Sequence, residues 1–89
     1  MRIAPHVISQ EVLLGETVLM DVETLVYYGL DPLGTTIWQV LQRCSDADEA
    51  FERVRESEKL DPQTLKKIFS GVLRGLEASR IIELEPHAG

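Results

Sequence analysis

At Leu30 the apolar residues of this chain change their spacing, and the change falls on a helix-start signal. Upstream they tend to alternate with polar residues, the period of a half-buried strand. Downstream they recur every third or fourth position, the period of an amphipathic helix. No single element satisfies both periods, so the chain divides into a β part followed by an α part.

The run Val7 to Leu14 predicts a first strand that ends at a turn over Gly15-Glu16-Thr17. Val18 to Val22 predicts a second strand with Val18, Met20 and Val22 on one face. After the short turn Glu23-Thr24, the stretch Leu25 to Leu30 is rich in β-branched and aromatic residues and predicts a third. Asp31 is then an N-cap, and Pro32 takes the first helical position, where its missing N–H costs nothing. The first helix runs to about Cys44, with Leu33, Ile37, Val40 and Leu41 on its stripe and Trp38 beside them. Ser45 or Asp46 caps a second helix that turns Ala47, Ala50, Phe51 and Val54 inward. Asp61-Pro62 repeats the cap-plus-proline start. The third helix carries Leu65, Phe69, Val72, Leu73 and Leu76 on one stripe with Ile68 beside it, and ends near Arg80. Ile81 to Leu84 predicts a short terminal strand.

The expected fold class is α+β: a three-stranded antiparallel β-meander whose one face is covered by three α-helices. A single domain spans residues 1–89, with an ordered core over about 7–84 and fraying ends at Met1 to Pro5 and Pro86 to Gly89.

Charge and length exclude several functions. A chain of 89 residues buries only about 60–65% of its unfolded surface, which leaves little room for a deep catalytic cavity. The formal net charge of −6 opposes a general nucleic-acid binder, which needs a basic face. Cys44 has no partner for an internal disulfide, and a lone thiol suits a reducing compartment. Met1 to Gln10 lacks the apolar core of a signal peptide, and no stretch approaches the roughly 20 apolar residues of a membrane span. The expected location is cytoplasmic.

Catalytic constellations are not legible. His6 and His87 stand near opposite ends of the chain without ligand partners at metal spacing. The acids Asp46, Asp48, Glu49 and Glu52 gather at the start of the second helix, where they favour the macrodipole and form a solvated face. Gly71 and Gly75 lie mid-helix rather than in a phosphate-binding turn. The expectation is a protein that is not an enzyme and uses no metal or cofactor.

Two features point instead to binding. An outer strand of a meander presents unpaired N–H and C=O groups, and Leu25 to Leu30 has neither the charge nor the proline that blunts such an edge. Alternation sets Val26, Tyr28 and Leu30 on one face and Leu25 and Tyr27 on the other. Such an edge accepts a further strand, with backbone hydrogen bonds for affinity and side-chain pockets for specificity. The other reading is a central strand, or one covered by the tail.

The third helix is the second feature. From Pro62 to Arg80 it carries Lys66, Lys67, Arg74 and Arg80 against Glu77, a formal +3 within a total of −6, so the rest of the chain carries −9. Its Gly71 and Gly75 each cost roughly 0.8–1 kcal/mol relative to alanine. With Ala78 they form a strip of small residues that admits close approach of another backbone, either a foreign one or the protein's own sheet.

With these residues in place, the sequence resembles a known family. Val18-Leu19-Met20-Asp21, then Tyr27-Tyr28-Gly29-Leu30-Asp31-Pro32-Leu33-Gly34, then Ile37-Trp38, is similar to the PqqD-like signature that leads from the second strand into the first helix. An acidic second helix, Asp61-Pro62, Phe69, Val72-Leu73, Leu76 and Ile81-Ile82 extend the likeness over about residues 7–84.

The resemblance implies a winged helix-turn-helix-like recognition element that binds the leader of a ribosomally made precursor peptide. The leader would add as a strand to the third strand, against the third helix. Carried onto this chain, that groove is bordered by Leu25, Val26, Tyr27 and Tyr28 on one side and by Ile68, Gly71, Val72 and Gly75 on the other, with Leu65 at one end. The implied partners are the leader peptide and a modifying enzyme, either a leader peptidase, as in lasso-peptide pathways, or a radical enzyme. Neither nucleic acid nor membrane is among them.

Three departures from the family stand out. Leu25 replaces a frequent glycine before the third strand, so a different turn is expected. Ile68 replaces a common acid, which implies a more apolar groove. Arg80 replaces a glycine at the end of the third helix, which is expected to end without a glycine cap. The alternatives are a DNA-binding winged helix, disfavoured by the charge and the mid-helix glycines, and a purely structural accessory subunit.

Overall fold

Alternation along the second predicted strand decides which face of the sheet is covered. In the computed structural model, which describes residues 1–83, Thr17, Leu19 and Asp21 are buried while Val18 and Met20 on the opposite face are only half so. Leu19 therefore faces the helices, and the apolar set Val18, Met20 and Val22 looks away from them.

The elements run β1 (Arg2–Ile3), β2 (Val7–Glu11), a 3-10 turn at Leu13–Gly15, β3 (Thr17–Asp21), β4 (Val26–Leu30), α1 (Pro32–Leu41), α2 (Ala47–Ser57), α3 (Pro62–Ala78) and β5 (Ile82–Glu83). The fold class is the expected one: an antiparallel sheet in the order β2-β3-β4 followed by three helices. Leu19 lies opposite Ser9 on β2 and Tyr28 on β4, and Met20 lies opposite Ile8 and Tyr27.

The first expected strand ends three residues early. Leu14 and Gly15 both adopt left-handed backbone angles, φ +65° and +76°, which turn the chain before β3, and the Val12 N–H donates to the Glu16 carbonyl across the loop. The first helix likewise stops at Leu41 rather than Cys44.

Met1 to Pro5 do not simply fray. Arg2–Ile3 pairs antiparallel with Ile82–Glu83, Ile3 opposite Ile82, and the Ala4 N–H donates to the Ile81 carbonyl at 2.8 Å. Ile81 and Ile82 are buried and tie this small sheet to the core. Leu84, the expected end of that strand, and Pro86 to Gly89, including His87, lie outside the described residues.

Each helix begins on an aspartate cap. Asp31 Oδ1 accepts from Gly34 N at 2.6 Å, Asp46 Oδ1 from Glu49 N at 2.8 Å, and Asp61 Oδ2 from Thr64 N at 3.1 Å. Such a cap contributes on the order of 1 kcal/mol. Gly34 fits closely beside the first one, since a Cβ there would stand 3.0 Å from Asp31 Oδ1 and 3.3 Å from Leu30 Cδ2 and those side chains would have to shift. The core joins Leu19 and Leu30 of the sheet to Ile37, Trp38, Leu41, Ala50, Val54, Leu65, Phe69 and Leu76. Phe51 meets Phe69 edge to face at 5.4 Å. A fully buried leucine or phenylalanine of this kind stabilises by roughly 1.5–3 kcal/mol.

Two of the family departures resolve in the backbone. Leu25 holds φ +61° and Arg80 φ +59°, so both keep the left-handed conformation that glycine adopts without strain. At the end of α3 the Ile81 N–H donates to the Leu76 carbonyl at 2.9 Å and the Arg80 N–H to the Glu77 carbonyl at 3.0 Å. This is a Schellman cap built without its glycine. α3 thus ends without a glycine, as expected, and hydrogen bonds of the surrounding chain hold Leu25 and Arg80 in left-handed angles despite their side chains.

Arg80→Gly and Leu25→Gly are each expected to raise stability by about 0.5–1 kcal/mol, since relief of roughly 1–2 kcal/mol of left-handed strain exceeds glycine's added chain entropy. Urea denaturation checks this. A midpoint that fails to rise would mean that the Leu25 or Arg80 side chain contributes more than the strain it causes.

Candidate functional site

β4 is positioned by the turn before it. Asp21 is buried, and its Oδ1 accepts from Glu23 N at 2.9 Å and Thr24 N at 3.3 Å, while its carbonyl accepts from Leu25 N at 2.7 Å. One aspartate thus closes the hairpin that launches β4. Sequence reasoning did not assign this role, although the signal was present as an acid at the end of an apolar strand, where aspartate forms such turns.

The strand itself pairs with β3 alone and forms an edge of the sheet. Among the described residues no other backbone group bonds to Val26–Leu30. Five residues give a border of roughly 17 Å, with no charge and no proline along it. Leu30 is buried and Tyr28 half-buried, both toward the helices, and Val26 shares their face by alternation with 44% of its surface exposed. Tyr27, 67% exposed, lies on the far face beside Met20. Leu25 is 65% exposed and belongs to the turn rather than the strand.

Across from β4 stands α3. Tyr28 leans over to it and sets its hydroxyl against Gly75: a Cβ there would collide with Tyr28 Oη and stand 2.8 Å from Cζ. At Gly71, one turn earlier, a Cβ would meet nothing within 4 Å. The two glycines are therefore unlike. Gly75 makes room for the protein's own ring, whereas Gly71 leaves open space.

Ile68 and Val72 are half-buried against the core. Leu65, expected at one end of the groove, has no exposed surface and packs within the core cluster. Of the expected residues, Val26 and Tyr28 share the helix-facing side of β4, Ile68, Gly71, Val72 and Gly75 lie on α3, Tyr27 lies on the far face of the sheet, and Leu25 lies in the turn.

A depression of about 570 Å³ flanks the groove on the open side of α3, lined by Gln63, Lys66, Lys67, Ser70, Gly71 and Arg74. Arg80 lies elsewhere, with Arg2, Glu77 and Glu83 beside the β1–β5 pair. Among the described residues no three His, Cys, Asp or Glu side chains converge to hold a metal ion. The Arg55 guanidinium is held above its ordinary pKa by the hydrogen bond and charge of Glu52, but it belongs to α2, outside the expected groove residues. No described helix is long and apolar enough to cross a membrane.

Comparison with known proteins adds two findings. The family model for coenzyme PQQ synthesis protein D, PqqD, matches residues 16–82, from the start of β3 into β5. Among solved structures, TbiB1 in complex with the TbiA(beta) leader peptide is 28% identical, with a TM-score of 0.79 and full coverage of both chains. No curated protein matches the sequence.

The unlike surroundings of the two glycines give opposite expectations for alanine. Gly71→Ala adds a methyl group to open space and is expected to stabilise α3 by up to about 0.8–1 kcal/mol through helix propensity. Gly75→Ala drives a methyl group into Tyr28 and is expected to leave the protein about 1–3 kcal/mol less stable than Gly71→Ala, as overpacking does. Urea midpoints and the Tyr28 ring resonances report both. Equal midpoints would remove the Tyr28–Gly75 contact from the description of the groove.

Proposed function

The chain belongs to the PqqD family, and on that premise we propose that it is a discrete recognition protein, without catalysis of its own, that binds the leader segment of a ribosomally made precursor peptide. The leader lies as a fourth strand along β4, its backbone pairing with the free border and its side chains alternating between the groove beside α3 and the outer face of the sheet. The observation that carries this reading is the uncharged border of β4, which pairs with no backbone beyond β3 among the described residues and whose Val26 N–H donates to Thr24 Oγ1 at 3.4 Å, next to a helix with open space at Gly71. The likeness to TbiB1, whose structure holds a leader peptide, supports it over the whole length of the chain.

Within the groove, Val26, Tyr28, Ile68 and Val72 supply the apolar surface. Burying an aliphatic or aromatic leader side chain there contributes on the order of 1.5–3 kcal/mol. Isoleucine at position 68 in place of an acid favours such apolar side chains. By holding the leader while it contacts a second protein, the domain raises the effective concentration of the attached core peptide at an enzyme. The enzyme in this proposal is a leader peptidase of a lasso-peptide pathway or a radical enzyme, in a cytoplasmic setting.

Val26→Pro removes a backbone donor at the start of the border, and Gly71→Leu fills the open part of the groove. Each is expected to weaken binding of a fluorescein-labelled leader by about tenfold or more, since either loses on the order of 1–3 kcal/mol, while far-UV circular dichroism stays that of the folded protein. Unchanged affinity in both folded variants would falsify strand addition at β4.

A further inference from the structure

The charges of the molecule are segregated. Between Arg2 and Arg43 there is no lysine or arginine, but there are Glu11, Glu16, Asp21, Glu23 and Asp31, so the strands β2 and β3 and the turns around the uncharged β4 carry acids and no lysine or arginine. Opposite it, the open side of α3 carries Lys66, Lys67 and Arg74, all exposed. None of the three forms an ion pair among the described residues, although Glu77 lies on the same helix. The three gather around one depression of about 570 Å³ with Gln63 and Ser70, whose side chains add polar hydrogen-bonding groups.

Gly71 belongs both to this depression and to the groove wall, and it has no neighbour within 4 Å of where a Cβ would stand. The ridge of α3 is therefore lowest at Gly71, which makes it a pass between groove and depression. At Gly71 itself an extended segment leaving the β4 border meets no side chain of that residue, with Lys67, Ser70 and Arg74 beside it. Coulomb forces then sort its flanks, because carboxylates are repelled from the acidic sheet and attracted to the three unpaired cations.

We propose that the depression lined by Lys66, Lys67 and Arg74 is a second binding site for the same peptide, taking an acidic stretch that flanks the strand-forming segment. The site rests on the strand-addition reading above and adds to it a chemical class and a polarity. The bound peptide has an apolar alternating part at β4 and aspartates or glutamates on the flank that crosses Gly71. The cations at this rim contribute modestly to affinity, as exposed pairs do, and more to encounter rate and orientation.

Selection of random linear peptides on the immobilised full chain tests this, followed by fluorescence anisotropy with the best binder and with its Asp→Asn, Glu→Gln counterpart. The expected binders carry an alternating apolar segment with acids clustered on one flank. K67E/R74E is expected to weaken the acidic peptide by about tenfold, through two lost pairs and new repulsion, and to leave the amide counterpart nearly unchanged. The difference is expected to vanish near 1 M salt, where the Debye length is about 3 Å. Both positions are exposed, and K67Q/R74Q serves as the milder variant should the reversal disturb folding.

Binders without an acidic flank, or full affinity in both variants, would overturn the second site while leaving strand addition standing. Failure to select any peptide would remove strand addition and the second site together. A labelled DNA duplex run in parallel separates a third outcome: tight binding lost in K67E/R74E, with no preference for acidic peptides, would assign the depression to nucleic acid and overturn the proposal.

Discussion

Every backbone N–H and C=O must find a partner in the protein or in water, and a sheet of three strands leaves two rows of them without one. In this molecule one row belongs to β2 and the other to β4. Both are edges, but only β4 runs beside a helix that leaves open space at Gly71. The site follows from that geometry. Leu19 and Leu30 bind the sheet to the helices, Asp21 closes the turn that aims β4, and the Asp31 cap starts α1 immediately after it. The sequence run that carries the family likeness is therefore largely one that fixes how β4 is held.

The left-handed residues show how tightly this frame is determined. Leu14, Leu25 and Arg80 occupy backbone angles that cost a side-chain-bearing residue roughly 1–2 kcal/mol each. A domain of this size has a net stability of only about 5–10 kcal/mol, so such positions persist where the surrounding structure over-determines them. At Arg80 the determining contacts are the two capping hydrogen bonds and the burial of Ile81 just beyond. At Leu25 the determining contact is the Asp21 carbonyl.

Much of the fold was legible because its signals are local and repeated. Three aspartate caps, two of them followed by proline, marked the helix starts, and the change of period at Leu30 separated sheet from helices. The β1–β5 pair was not legible, since two-residue strands have no period to read. The early end of β2 was hidden by a leucine in a glycine's conformation at position 14. Within the site, Gly71 and Gly75 have the same sequence signal and differ only in whether Tyr28 reaches them, which is a fact of tertiary packing. The helical period places Leu65 on the inward stripe, where the core covers it completely; only the family resemblance set it at the groove's end. The charge of α3 was countable from sequence, but the gathering of Lys66, Lys67 and Arg74 around one depression needed the packed helix.

The bare border of β4 has a cost of its own. Leu25 to Leu30 reads Leu-Val-Tyr-Tyr-Gly-Leu, six residues of mostly high β-propensity with no charge and no proline, the composition of a self-associating segment. On the adjoining outer face Ile8 and Tyr27 are exposed apolar residues flanking Met20. The −6 charge that two copies share opposes their pairing edge to edge. That repulsion fades as acidity approaches the isoelectric point near 4.8. Colloidal solubility of the protein with a bare border is thus expected to be least in mild acid, and any chain that covers the border would also act as a solubilising cap.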